Sequence, residues 1–256
     1  MSGFIGKMIR FFIKKVIEFI ALLTRKSENP PKSSKPVVES IMTTKKTVVA
    51  KTIYCNGDHV PVAWDKVVTY REQPDWSLPD SNMKSFSGNR KPSIFVVHWD
   101  GCLDSEMCHR VIEGRGLSVH FCIDTDGTII QLMDTNNIAW HARGVNTQSI
   151  GVEVANPVYM KYQDKQDSPR PVWPAEKLNG KTQQKRLGFY PIQEQALKVL
   201  IDSVCGYYQI PLVYPTYKGQ IKDPHKFSGV IGHYHVTRNK TDPLGLDFSK
   251  VVVDDD

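Results

Sequence analysis

His98, His233 and Asp242 are the side chains in this sequence whose types suit a shared divalent ion. Two imidazoles and a carboxylate give zinc three ligands and leave the fourth tetrahedral corner for solvent, the arrangement of catalytic zinc; structural zinc is closed by four. An open corner lowers the pKa of a bound water to about 7. Two of these residues lie in the run Gly232-His233-Tyr234-His235-Val236-Thr237-Arg238-Asn239-Lys240-Thr241-Asp242-Pro243, and His98 lies far upstream. A histidine taken alone is usually a surface or hydrogen-bonded core residue, and the chain has eight. The residues before these two set them apart. Ile94-Phe95-Val96-Val97 is a short β-branched apolar run that predicts a buried strand ending on His98, and Gly229-Val230-Ile231-Gly232 predicts another ending on His233. Sites in α/β sheets lie beyond the carboxyl ends of strands. His235 shares a face with His233 if that strand continues, so it is the alternative ligand.

Glu153 is the second chemical candidate. In Ser149-Ile150-Gly151-Val152-Glu153-Val154-Ala155 the residues alternate, with Ile150, Val152 and Val154 on one face and Gly151, Glu153 and Ala155 on the other. A carboxylate between two small neighbours has room for a ligand. It reads either as a salt-bridge partner on a solvated face or, beside the histidine pair, as a general base. Lys240 lies two residues before Asp242 and on an extended loop points the same way, so its ammonium can meet an oxygen that gains negative charge. A solvated loop lysine is the alternative.

The elements that must position these groups are legible in part. Asp124-Thr125-Asp126-Gly127 joins two β-rich runs as a hairpin turn. Pro191 to Tyr208 predicts a helix opened by proline, with Ala196, Leu197, Leu200, Ile201 and Val204 as its apolar stripe. Residues 47–89 form a β-rich extension that either lengthens the main sheet or makes a small module, with a polar, turn-rich stretch from Asp75 to Asn89. Asn156 to Tyr190 reads as a long polar loop whose Tyr159, Tyr162 and Trp173 suit sugar or peptide binding, or as a solvated insertion.

From about Arg90 to about Val253 the chain resembles the zinc-dependent N-acetylmuramoyl-L-alanine amidases of the type-2 class, which include amidase-type bacteriophage lysozymes and are related to peptidoglycan recognition proteins. Five collinear stretches carry the resemblance: Phe95-Val96-Val97-His98, Val119 through Thr128, Ala139-Trp140-His141-Ala142-Arg143-Gly144, Ser149 through Glu153, and Gly232-His233 through Asp242-Pro243. The resemblance implies one zinc ion held by His98, His233 and Asp242, with Glu153 as catalytic acid/base and Lys240 as transition-state stabiliser. It implies peptidoglycan as substrate, cleaved at the amide between N-acetylmuramic acid and L-alanine. His120, His141 and Trp140 fall in matching segments and are candidates for substrate contact, with a structural role as the alternative for both histidines. Val119 stands where some members carry a catalytic tyrosine, so this chain matches the glutamate form. Asp242 stands where many relatives have cysteine, and Thr237-Arg238-Asn239 replaces a usual Pro-Gly pair, which keeps His235 open as a ligand. Peptidoglycan recognition proteins often carry a disulfide near Cys102 and Cys108, so the resemblance allows a bridge there. Cys122 and Cys205 are expected to be buried thiols.

The fold class expected is α/β, a mixed central sheet flanked by helices with the zinc cleft at strand ends and an N-terminal amphipathic arm. The 256 residues divide into a basic amphipathic helix at 1–26, a linker at 27–46, the extension at 47–89 and a catalytic domain at 90–256 with an insertion at 156–190. The net charge of +6 is uneven, because residues 1–50 carry 10 of the 33 Lys/Arg and only 3 of the 27 Asp/Glu. The basicity therefore belongs to the arm, and a nucleic-acid partner is not expected. Apolar residues between 5 and 23 follow helical spacing with Lys7, Arg10, Lys14 and Glu18 opposite. Charges interrupt the run too often for a membrane span, and no cleavable signal is evident. Residues 4–24 are expected to lie on an anionic membrane, dock on a protein partner, or pack on their own domain. Two other functional classes compete with an enzyme of the cell wall: a peptidoglycan-binding module without activity, and a virion or envelope component carrying an amidase-like domain.

Overall fold

A computed structural model describes residues 50–252; the expected amphipathic helix and linker lie outside them. In chain order come β1 (Lys51–Cys55), β2 (Asp58–Val62), β3 (Val67–Thr69), β4 (Met83–Lys84), β5 (Ile94–Trp99), helix α1 (Ser105–Gly114), β6 (Phe121–Ile123), β7 (Ile129–Gln131), β8 (Ile138–Ala139) and β9 (Ser149–Val154). There follow β10 (Val172–Trp173), β11 (Glu176–Leu178), β12 (Lys181–Gln183), β13 (Arg186–Leu187), helix α2 (Pro191–Tyr208), β14 (Gly229–Gly232) and a single turn, α3 (His233–Val236). Six strands form a mixed sheet in the order β14-β5-β9-β6-β7-β3. The first four run parallel, β7 returns antiparallel to β6, and β3 pairs parallel with β7. Residues 47–89 thus contribute the edge strand β3 to the main sheet and the separate β1–β2 hairpin.

Alternation along the strands separates two faces. Phe95 and Val97 of β5 and Ile150, Val152 and Val154 of β9 pack with Ala196, Leu197, Leu200, Ile201 and Val204 of α2. Burying one large apolar side chain of this kind contributes about 1.5–3 kcal/mol. The opposite face carries two smaller clusters. In one, Cys108 and Ile112 of α1 meet Cys122 and Ile130. In the other, Ile94 and Val96 meet Ala142, Val145 and Ile231. His98 and Glu153 point to this second side, because residues two apart on a strand share a face.

Local chemistry explains the helix ends. Asp104 caps α1, its side chain accepting from the Met107 amide at 2.7 Å. Pro191 occupies the first turn of α2, and the Gln193 side chain ties that turn to Ala155 O at 2.9 Å. Segment 156–190 corrects the long-loop expectation: it contains the antiparallel pairs β10–β13 and β11–β12 and a 3-10 turn. Buried Arg170 holds it down by donating to Ala155 O at 2.9 Å and Gly188 O at 3.2 Å. Asp75 to Asn89 likewise folds into two 3-10 turns and β4, which pairs with β8. All five cysteines are free thiols, so the structure carries no Cys102–Cys108 bridge.

Candidate active site

Sheet register assembles the site. In the parallel β14–β5 ladder the last pair is Gly232 with Val97, which sets His233 beside His98. On the other flank His98 pairs with Glu153. Neighbouring strands lie about 4.8 Å apart, so the row His233, His98, Glu153 is compact by construction. The strand does not continue through His233. The chain turns helical there, and His235 swings away, its Nδ1 accepting from the Gly232 amide at 2.9 Å and its Nε2 lying 3.2 Å from Tyr217 O. The alternative ligand is thus engaged elsewhere.

Asp242 reaches the row from the loop after α3. The Tyr234 amide donates to Asp242 O at 3.0 Å, and Pro243 passes so close to Gly232 that a Cβ there would lie 2.5 Å from Pro243 Cδ. One carboxylate oxygen, Oδ2, then sits 2.8 Å from His98 Nδ1 and 3.0 Å from His233 Nδ1. One donor atom from each of the three residues falls within 4.8 Å of the others, and all three residues are buried.

The electrostatics suit a cation. Burial, with His233 second, lowers His98 to about 4, so its imidazole is neutral near pH 7. Burial acts to raise the Asp242 carboxyl, but hydrogen bonds from His233 and His98 prevail and hold it below the usual carboxylate range. A neutral His98 and an ionised Asp242 are the protonation states metal binding requires of them. The residues present therefore fit a zinc ion on the chemistry and spacing of their donors. Glu153 stands next to them, Oε1 4.0 Å from His98 Nδ1 and Oε2 buried without a hydrogen-bond partner. Burial first, then the charges of Asp242 and Asp100, push its pKa well above normal. Lys240 is exposed and lines the same cavity, about 260 Å³ in volume, with Trp140 on another wall.

His141 and His120 occupy different places. His141 Nδ1 lies 3.0 Å from His98 Nε2, and its own Nε2 lies 3.1 Å from Ser149 Oγ. His98 turns Nδ1 to Asp242 and Nε2 to His141, and the two contacts fix the ring; were Nδ1 given to an ion, the ring proton would sit on Nε2 and be donated to His141. The His141 ring lies over Gly151, where a Cβ would come within 2.5 Å of Nδ1. His120 is fully buried and does not line the cavity, a placement that suits the structural alternative. Its Nδ1 accepts from the Gly151 amide at 3.0 Å and its Nε2 lies 3.0 Å from Asn137 O, so it braces β9.

Two supports have no signal in the sequence pattern. Buried Arg90 donates to Thr135 O at 2.7 Å and Ser149 O at 2.9 Å and also bonds Asn137 O, tying the loop before His141 to β9. Asp100, in the loop after β5, accepts from the Cys102 and Asn156 amides at 2.8 and 3.0 Å, and burial lifts its pKa to about 7.

Residues 88–245 match the family model described as N-acetylmuramoyl-L-alanine amidase, and the chain belongs to that family. Among solved structures it is similar to the Escherichia coli amidase AmiD in complex with anhydro-N-acetylmuramic acid-L-Ala-D-γ-Glu-L-Lys, at 19% identity over 63% of this chain and 55% of that one, TM-score 0.41. The chain thus spans little more than half of that AmiD chain. It is similar to the amidase LysC from Clostridium intestinale at 19% identity, over 73% of this chain and 94% of that one, TM-score 0.44. It is also similar to Drosophila PGRP-LB at 19% identity, over 67% and 84% of the two chains, TM-score 0.38. No curated protein sequence matches it.

Proposed function

We propose that this chain is a zinc hydrolase of the bacterial cell wall, cleaving the amide between the lactyl group of N-acetylmuramic acid and L-alanine. The observation that carries the reading is the single row of His233, His98 and Glu153 across three parallel strands, closed by Asp242. His98, His233 and Asp242 would hold the ion, which when bound supplies Lewis acidity to a water and to the scissile carbonyl. The protein's own groups account for the proton. Glu153 accepts it from the water as the oxygen attacks the carbonyl carbon, then delivers it to the nitrogen as the C–N bond breaks. The Glu153 carboxylate lines the cavity, its Oε2 has no competing hydrogen-bond partner, and its raised pKa favours holding the proton between the two steps. Lys240 offers an ammonium to the oxyanion. His141 holds His98 in one orientation throughout.

A binding module without activity has no use for a buried carboxylate lacking a partner beside a full set of ligands, which supports the enzyme. The test is digestion of purified sacculi with product masses. Free stem peptides should appear, vanish with a chelator and return with zinc. Release of glycan fragments alone, or release unaffected by the chelator, would refute the proposal.

A further inference from the structure

The site cavity does not end at Lys240. A groove of about 580 Å³ shares Trp99 and Gly101 with it and runs along segment 156–190, and a second groove of about 420 Å³ shares Gln183 and Thr241 with the first. Thr241 lies between Lys240 and Asp242, so both grooves start beside the proposed reacting centre. Their charge is one-sided. Lys181, Lys185 and Arg238 line them and are exposed, while no Asp or Glu lines either groove. Arg186 also lines the first groove, but it is buried against Glu176 at 3.2 Å. None of the other three cations is paired with a carboxylate among the described residues. Residues 51–256 as a whole are close to neutral, with 23 Lys/Arg against 24 Asp/Glu, so the basic lane is local.

We propose that this lane, built by Lys181 and Lys185 of the insertion and by Arg238, is the subsite for the carboxylate-bearing stem peptide on the leaving-amine side of the scissile bond. The inference rests on the amidase reading and adds the substrate's orientation. In the unmodified polymer the muramyl carboxyl is consumed in the amide, so the glycan offers no charge for the lane to read. The peptide keeps its free carboxylates, including the α-carboxylate that a γ-linked glutamate leaves open. Lysines and an arginine along a groove read such charges one by one.

The test compares the full-length zinc-loaded protein with K181Q/K185Q/R238Q on two muramyl peptides, one with free stem carboxylates and one with those groups amidated. The parent should prefer the free form, and its advantage should shrink in high salt. The triple variant should show a KM for the free form raised about fivefold with kcat little changed, and the preference should vanish. Equal preference in parent and variant overturns the assignment. So does a parent indifferent to amidation but faster on sacculi that retain phosphate polymers, since the anion read would then be phosphate. If the parent hydrolyses neither compound, the amidase reading fails separately. Calorimetric binding of the free stem tripeptide then decides the subsite, which stands if the parent binds it and the variant does not, and falls if both bind alike.

Discussion

His98 and Glu153 stand opposite one another in the parallel β5–β9 ladder, with His98 Nδ1 and Glu153 Oε1 4.0 Å apart. Their separation is set by backbone pairing, so neither side chain needs to search for the other. Glu153→Gln keeps the shape and removes the capacity to take up and release a proton. Turnover on sacculi should fall at least about 100-fold. Zinc content, measured by elemental analysis, should match the parent. A variant that digests cell wall at near the parent rate removes Glu153 from the mechanism.

Gly151 allows the His141 ring to lie across β9, and Gly151→Ala would place a methyl 2.5 Å from His141 Nδ1. The ring must move, and His98 then loses the partner of its Nε2. Zinc affinity, read by competition with a chromogenic chelator, should drop about 10- to 100-fold. Stability should fall by about 1–3 kcal/mol from the overpacking. An unchanged affinity would show that His141 does not orient His98.

How much of this could be read from the chain follows from what each residue depends on. His98 and His233 were legible because a β-branched run before each predicts a strand, and the strand's end then places the histidine. The face of Glu153 was legible from alternation alone. The fate of His235 was not, because it turns on the one residue at which β14 stops and the backbone becomes helical. His120 and His141 differ through the path of loops and through Arg90, whose five carbonyl partners between Thr135 and Ser149 leave no periodic trace. Strands of two or three residues, such as β10 to β13, are too short for alternation to register, so segment 156–190 read as loop.

His120 should make the fold acid-sensitive. Burial first, then Arg90, lowers its pKa to about 3, against about 6.5 in an unfolded chain. Between those values the unfolded state binds a proton that the folded state refuses. Stability therefore rises with pH across this window and is lost as pH falls from about 6.5 towards 3. Protonating Nδ1 would also cost the bond from the Gly151 amide. His120→Asn should be less stable than the parent at pH 7 but should lose less on acidification to pH 4. Parallel melting curves for the two proteins would remove His120 from this role.

Gly232 governs the last proposed ligand. A methyl there would meet Pro243 Cδ at 2.5 Å and Tyr234 Cε1 at 3.1 Å. Pro243 follows Asp242 directly, and the Asp242 carbonyl is fixed by the Tyr234 amide at 3.0 Å. Relief of the clash must push the loop outward, which withdraws the carboxylate from both imidazoles. Gly232→Ala should lose about 1–3 kcal/mol of stability. Its zinc affinity should fall further than that of Gly151→Ala, because a ligand itself is displaced rather than a ligand's support. Gly206 on α2 is the control: a Cβ there meets nothing within 4 Å. Gly206→Ala should therefore stabilise the helix by about 0.4–1 kcal/mol and leave zinc binding alone. If Gly232→Ala binds zinc as tightly as Gly206→Ala does, the close approach of Pro243 does not position Asp242.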